Sequence, residues 1–541
     1  MKIYLIMLLL AFLAPVAAAS HHDQSAETTL PRTAIDSVCA DFDKFVEYLE
    51  ETHPDPYTAF GGRPLFYQKV SRIRESLRED SVIDRNGLAK NISEFIACLH
   101  DGHTLVKGNV IEGTPRYLPL RFRHVADALL VKEAPDSLRR LIGGKVLSAA
   151  GVALDELMER MSRIRTSENN SGSLENLRSH INDERYLKRL TGISTDSVVM
   201  EIGLSDGTIE RIKVPFLSYE EVMCVQYTAP ERKLSLPKGN MDYCFLDHGR
   251  TAYFRLKSVN SRDNFDFMRK QGMDFTQQLK YYYRTEGLKM TGDPDKDIEA
   301  IPVAVDAFGT LLGEMAAKKS ENLIIDLRGN DGGWTPIVLP MIYQLYGNKF
   351  MKIGGMAFYR RISPLYLKKM NMTLSDLNEG RSMPYKMGDF IISTDDGFGG
   401  EPDEASMESF IGDLMTLDSD ALRKQKGKPV YSPKIVFVVT DGQTFSAAFH
   451  TAYDLWLLGA KIAGTASSQA PNTFMEVTEF TLPYTGLSGS ISNSLQLFLP
   501  PEHPSAKQLE PDLKLDWENM QKYGYDPDAE ILMILDAIKD K

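Results

Sequence analysis

Apolar residues near the start of the chain recur at helical spacing. Val38, Phe42, Phe45, Val46 and Leu49 share one face, and Leu88, Ile92, Phe95, Ile96 and Leu99 share another. The second face runs out at His100-Asp101-Gly102, where Gly102 is the expected helix-terminating residue. Residues 33–112 are therefore expected to form a small helical domain. From residue 115 to 216 the pattern changes to short β runs, among them ALLVKEA, KVLSAAG, VVMEIGL and IERIKVPF. From residue 240 to 541 strands alternate with helices, the order of an α/β layered domain with a mostly parallel sheet. Two long polar stretches within it, Leu288 to Ile301 and Met383 to Ser432, are expected to be surface loops.

Residues 1–19 have a different grammar: Lys2, an apolar run from Ile3, Pro15, then Ala17-Ala18-Ala19. That is the pattern of a signal peptide, with cleavage expected after Ala19. The run is too short and too broken to span a bilayer, and no later stretch reads as a span. The mature chain is thus expected in a periplasm or outside the cell, without stable membrane insertion. The net charge of −12 disfavours a nucleic-acid partner, which needs a positive footprint. Cys39, Cys98, Cys224 and Cys244 show no CxxC or zinc spacing, so no metal site is expected; Cys39 and Cys98 are open to either a disulfide or buried free thiols.

Two segments carry candidate chemistry. In KIVFVVTDGQTFSAAFHTAYDLWLLG an apolar strand, Ile435 to Val439, turns through Asp441-Gly442 into a helix ending near Gly459, with Ser446 at the helix start. A serine there is either an ordinary N-cap or a nucleophile beside the unpaired amides of a helix N-terminus. In NLIIDLRGNDGGW a buried strand, Leu323 to Leu327, meets a glycine-rich turn whose amides can approach a ligand closely. The same turn fits an anion-binding loop or a plain strand-to-helix connection, and it lacks the GKS or GKT of a nucleotide P-loop.

Together these segments resemble the serine peptidases that include tricorn core, C-terminal processing peptidases and interphotoreceptor retinoid-binding protein modules. TAYFRLKS is similar to their opening strand, and LIGGKVLSAAGVALDELMERM to the PDZ unit many of them carry, so residues 115–216 are expected to be PDZ-like. The resemblance implies a crotonase/Clp-peptidase-like α/β core at 240–541, acyl transfer through a serine ester, polypeptide substrates and no cofactor. It makes Ser446 the nucleophile and the amides of Ala447 and of Gly332 or Gly333 the oxyanion donors. The processing branch places a lysine where this chain has Ala470 and Pro471, so a Ser/Lys dyad is not expected. CLHDGHTLV is similar to the tricorn-like element that supplies a histidine, which makes His103 the implied general base, with His450 the competing candidate. Phe449 stands where processing peptidases have an acidic residue, and Glu510 is a weak candidate for the orienting carboxylate. Asp326 and Arg328 are expected to brace the glycine turn. A catalytically silent peptide-binding protein on the same scaffold is the alternative function; an acyl-CoA enzyme is a poor third, since an exported chain is badly placed for CoA.

Overall fold

The computed structural model describes residues 35–539 apart from 80–83, 109, 110, 112, 271, 355 and 396–423. The apolar leader read as a signal peptide, and residues 396–423 of the second polar stretch, lie outside the described residues.

Three helices open the fold, Ile35–Thr52, Arg63–Glu79 and Arg85–Ile96, the last capped by Asp84, whose side chain accepts from Gly87 N at 2.9 Å. The apolar residues of both helical faces are buried, Phe42 lying edge-on to Phe95 at 6.0 Å. The third helix closes in a 3-10 turn, Ala97–Leu99, and the left-handed reversal falls on His100 (φ 54°), not on Gly102. The tighter turn brings the reversal forward by two residues and releases Gly102 for another use.

Residues 121–215 form an antiparallel sheet in the order Arg121–Val125, Ala128–Pro135, Lys145–Ala149, Ser197–Gly203, Ile209–Pro215, with two short strands attached. Helices Leu154–Ser162, Asn170–His180 and Glu184–Thr191 cover it through Leu157, Met161, Leu174, Leu177 and Leu187. Ala150 and Gly151 both have positive φ in the two-residue turn between Lys145–Ala149 and Val152–Ala153. This unit and the N-terminal helices share one apolar cluster.

The remainder is α/β. Its sheet runs Leu513–Lys514, Lys461–Gly464, Ile435–Thr440, Asn322–Asp326, Thr251–Arg255, Asp242–Leu246, parallel except for the last strand. Leu323 and Ile325 face one apolar cluster, with helices Ala304–Lys318, Val338–Tyr346 and Ala447–Leu457, while Ile324 faces another, with Ile531 and Ile534 of the helix Ala529–Lys539. Burial on both faces is why these strands read as continuous apolar runs.

A third, antiparallel sheet was not legible in the sequence. It runs Leu105–Lys107, Ser488–Leu497, Met356–Arg361, Phe390–Asp395, with Thr473–Thr481 also paired to Ser488–Leu497. The stretch from Leu288 to Ile301 is likewise not all loop, for Asp293 caps a short helix, Pro294–Glu299, with proline at its first position. Pro294–Lys318 has the length and apolar content of a spanning helix, which the sequence reading overlooked. The helical run is interrupted after Glu299, and its second part, Ala304–Lys318, buries Phe308, Leu311, Leu312 and Met315 in the core. All four cysteines are free thiols.

Candidate active site

The strand Ile435–Thr440 delivers the chain to Asp441, whose carboxylate shapes the turn that follows. It accepts from Gln443 N (3.0 Å) and Thr444 N (3.1 Å), and it reaches the glycine loop by accepting from Gly329 N at 3.0 Å. Thr444 Oγ1 donates to Leu327 O at 3.1 Å, a second tie between the two loops. Burial raises the Asp441 pKa, and the nearby Glu175 adds to it.

Ser446 then enters the helix Ala447–Leu457 with φ 52° and ψ −124°, a region costing a non-glycine residue roughly 1–3 kcal/mol. Its hydroxyl makes no capping bond, so the serine is not serving as an ordinary N-cap. The backbone is held by Gln469, whose Oε1 accepts from Ser446 N at 2.5 Å. Ala447 is the first helical residue, and its amide has no partner one turn back.

The glycine loop packs directly on this corner. A Cβ on Gly332 would lie 2.8 Å from Ser446 Cβ, and one on Gly333 would lie 2.2 Å from Val259 O. Both glycines have positive φ, 110° and 139°. Gly332 N donates to Asn330 Oδ1 at 2.9 Å, which departs from the expectation that this amide is open for an oxyanion. Asn330 is fully buried and donates to Leu256 O, so its side chain is fixed as the acceptor. Arg328 braces the turn through Asp326 (2.7 Å) and extends to Asp528 (3.2 Å) and Glu530 (2.7 Å).

His103 arrives from the N-terminal helices. Asp101 Oδ1 accepts from His103 N at 2.8 Å, Thr104 Oγ1 donates to Asp101 Oδ2, and His103 O accepts from Ser490 Oγ at 3.0 Å. Its ring lies 4.7 Å from that of Phe445, the neighbour of Ser446. Neither ring nitrogen has a hydrogen bond among the described residues, and none joins His103 to the Ser446 hydroxyl. Glu168 Oε1 is 3.5 Å from His103 Nδ1, with both side chains almost wholly buried. Burial would lower the imidazole pKa, but Glu168, and after it Asp101, outweigh burial and hold it above its ordinary value. His450 is committed elsewhere: Nε2 bonds Gln496 Oε1 at 2.9 Å, Nδ1 lies 3.4 Å from Thr335 Oγ1, and burial pushes its pKa down to about 4.

Glu510 is exposed and takes a hydrogen bond from Gln508, so it does not face His103. Sequence reasoning missed Glu168, which sits in the polar run SENNSG with no periodic signal to mark it. Ligand atoms of Asp101, His103 and Glu168 lie within 4.8 Å of one another, the only such grouping of metal-ligand character among the described residues. Asp101 already accepts from two groups and faces His53 Nε2 at 3.3 Å, and Glu168 accepts from Gly102 N and Ala470 N, which leaves His103 as the one uncommitted ligand, fewer than a structural or catalytic metal site uses.

Residues 300–515 match the family model of Peptidase family S41. No curated protein matches the chain. Among solved structures, mature CPAF complexed with lactacystin aligns with a TM-score of 0.56 at 15% identity, covering 93% of this chain and 98% of that one. Mature CPAF alone aligns with a TM-score of 0.54 at 14% identity, over 92% and 96%. Identities this low speak for a shared fold; the family match covers the segment holding both Ser446 and the glycine loop. The match to Peptidase family S41 marks residues 300–515 as the serine-type peptidase segment of this chain.

Proposed function

We propose that this chain is an exported peptidase that cleaves polypeptides through an acyl-enzyme on Ser446, with His103 as general base. The observation that carries the reading is the Ser446 corner: a serine in a strained conformation, its hydroxyl withheld from capping, set against Gly332 and beside the ring pair Phe445–His103. In the first step Ser446 Oγ attacks the scissile carbonyl while His103 takes the hydroxyl proton. The carbonyl oxygen becomes an oxyanion facing Ala447 N and the glycine loop, where Asn330 Oδ1 holds Gly332 N and Gly333 N is the remaining donor. Collapse breaks the C–N bond, His103 returns the proton to the leaving amine, and water then hydrolyses the ester by the same transfers.

Export rests on the leader at 1–19, and the PDZ-like pattern of 115–216 supports a role in holding polypeptide ends. The test is labelling by a fluorophosphonate together with cleavage of unfolded, fluorophore-labelled casein. Ser446→Ala should lose both and keep the wild-type melting profile. Absence of both in the wild-type chain would favour the silent peptide-binding alternative.

A further inference from the structure

We propose that Glu168, supplied by the interposed β-rich unit and not by the peptidase core, is the positioning residue that fixes the tautomer and orientation of His103. This rests on the reading of His103 as the base.

Glu168 stands immediately before the cap of the helix Asn170–His180, where Asn169 Oδ1 accepts from Gly172 N at 2.8 Å. Its carboxylate is turned inward, with the side chain 1% exposed. Oε1 accepts from Gly102 N at 3.3 Å and lies 3.5 Å from His103 Nδ1, and Oε2 accepts from Ala470 N at 2.8 Å. No lysine or arginine contacts it among the described residues, so the imidazole is the group that compensates the buried charge. One carboxylate thus joins the histidine loop, the β-rich unit and the core segment where the lysine branch would hold its base.

The approach is built from both sides. A Cβ on Gly102 would come within 2.8 Å of Glu168 Oε1, so glycine is what admits the carboxylate. On the core side the loop is docked by Asn169 Nδ2 donating to Ser467 O (3.1 Å) and Ser171 Oγ donating to Ala466 O (2.5 Å). Asp101 is the rival, but its oxygens serve the His103 amide, Thr104 and His53, so it sets the loop backbone. Glu510 is exposed.

Chemically, a carboxylate on Nδ1 keeps the N–H there and leaves Nε2 with the lone pair that takes the Ser446 proton. Burial raises the Glu168 pKa, and the neighbouring imidazole pulls it back toward the ionised form that stabilises the imidazolium. The groups facing His103 are Glu168, Asp101 with His53 behind it, and His450 from the nucleophile helix. With Glu168 present the imidazole titrates above its ordinary value, so the acidic limb of kcat/KM lies at correspondingly higher pH.

The experiment compares full-length wild type, Glu168→Gln, Glu168→Asp, His103→Ala and Ser446→Ala on labelled casein. In parallel, the C2–H resonance of His103, assigned by its loss in His103→Ala, is titrated by NMR. Glu168→Gln should lower kcat by roughly 10²–10⁴-fold with KM changed less than about threefold. It should also move the His103 midpoint and the acidic limb to lower pH, while Glu168→Asp restores part of both. An unmoved midpoint overturns the inference even if activity falls, because a merely structural carboxylate would not hold the imidazole. If Glu168→Gln does not fold, Glu168→Asp decides: kcat equal to wild type overturns the inference, and a fall of about tenfold or more at constant KM supports it. Activity retained by His103→Ala would sink the peptidase assignment of that residue, while the NMR titration still reads the hold of Glu168 on the ring.

Discussion

Gly102→Ala is a one-carbon perturbation whose effect on the site can be worked out in advance. Gly102 has no positive φ, so the backbone accepts alanine and any effect comes from the new methyl group. That methyl would sit 2.8 Å from Glu168 Oε1 and 2.8 Å from Phe445 Cζ, where ordinary contact begins at 3.4 Å. Each neighbour must therefore give way by about 0.6 Å, the difference of those two distances. Overpacking of this size costs roughly 1–3 kcal/mol, read as a lower denaturant midpoint. The functional loss should be larger in proportion. Glu168 cannot retreat without lengthening its 3.5 Å approach to His103, and Phe445 cannot retreat without dragging Ser446. Misplacement of reacting groups by under about 1 Å can cost 10²-fold in turnover, so kcat should fall by roughly 10–100-fold with KM little changed. The assay is steady-state cleavage of labelled casein beside urea unfolding of the same sample. Wild-type kcat in a variant destabilised as expected would refute the claim that Gly102 is there to let base, carboxylate and nucleophile loop meet.

His450→Gln should leave turnover within a few-fold but flatten the acid dependence of stability. His450 has its folded pKa depressed to about 4, so its contribution is present above its unfolded value of about 6.5 and is lost as pH falls toward 4. Urea midpoints between those pH values should slope less in the variant, and an unchanged slope would show that His450 is not buried neutral. Arg328→Met leaves Asp326, Asp528 and Glu530 without their shared cation and should destabilise the fold by about 3–5 kcal/mol. A midpoint within error of wild type would show the cluster to be solvated.

The legibility of the chain followed burial. Strands covered on both faces, such as Asn322–Asp326 and Ile435–Thr440, announce themselves as unbroken apolar runs, and the turns after them kept the polar and glycine residues that mark the site. Ser488–Leu497 hid because its sequence is SGSISNSLQL, a composition that reads as loop. Its hydroxyls and amides point inward, Ser490 to His103 O and Gln496 to His450, so polarity there signals a site interior and not solvent. Gly102 was read as a helix stop, for which glycine is the usual residue, when its service is to make room. Glu168 could not be found at all: a carboxylate in a polar run looks solvated until the fold brings Gly102, His103 and Ala470 around it.

The pairing of Leu105 with Ser490 has a bearing on when the protein becomes dangerous to its surroundings. The two positions are 385 residues apart, the difference of their numbers. At synthesis rates of roughly 5–20 residues per second, the strand that anchors the histidine loop waits some 20–80 s for its partner. Loop closure over that distance is slow and late in folding. A ribosome-bound chain therefore has its helices and its β-rich unit but no assembled hydrolytic centre. Delay written into chain order gives a hydrolase a period of harmlessness.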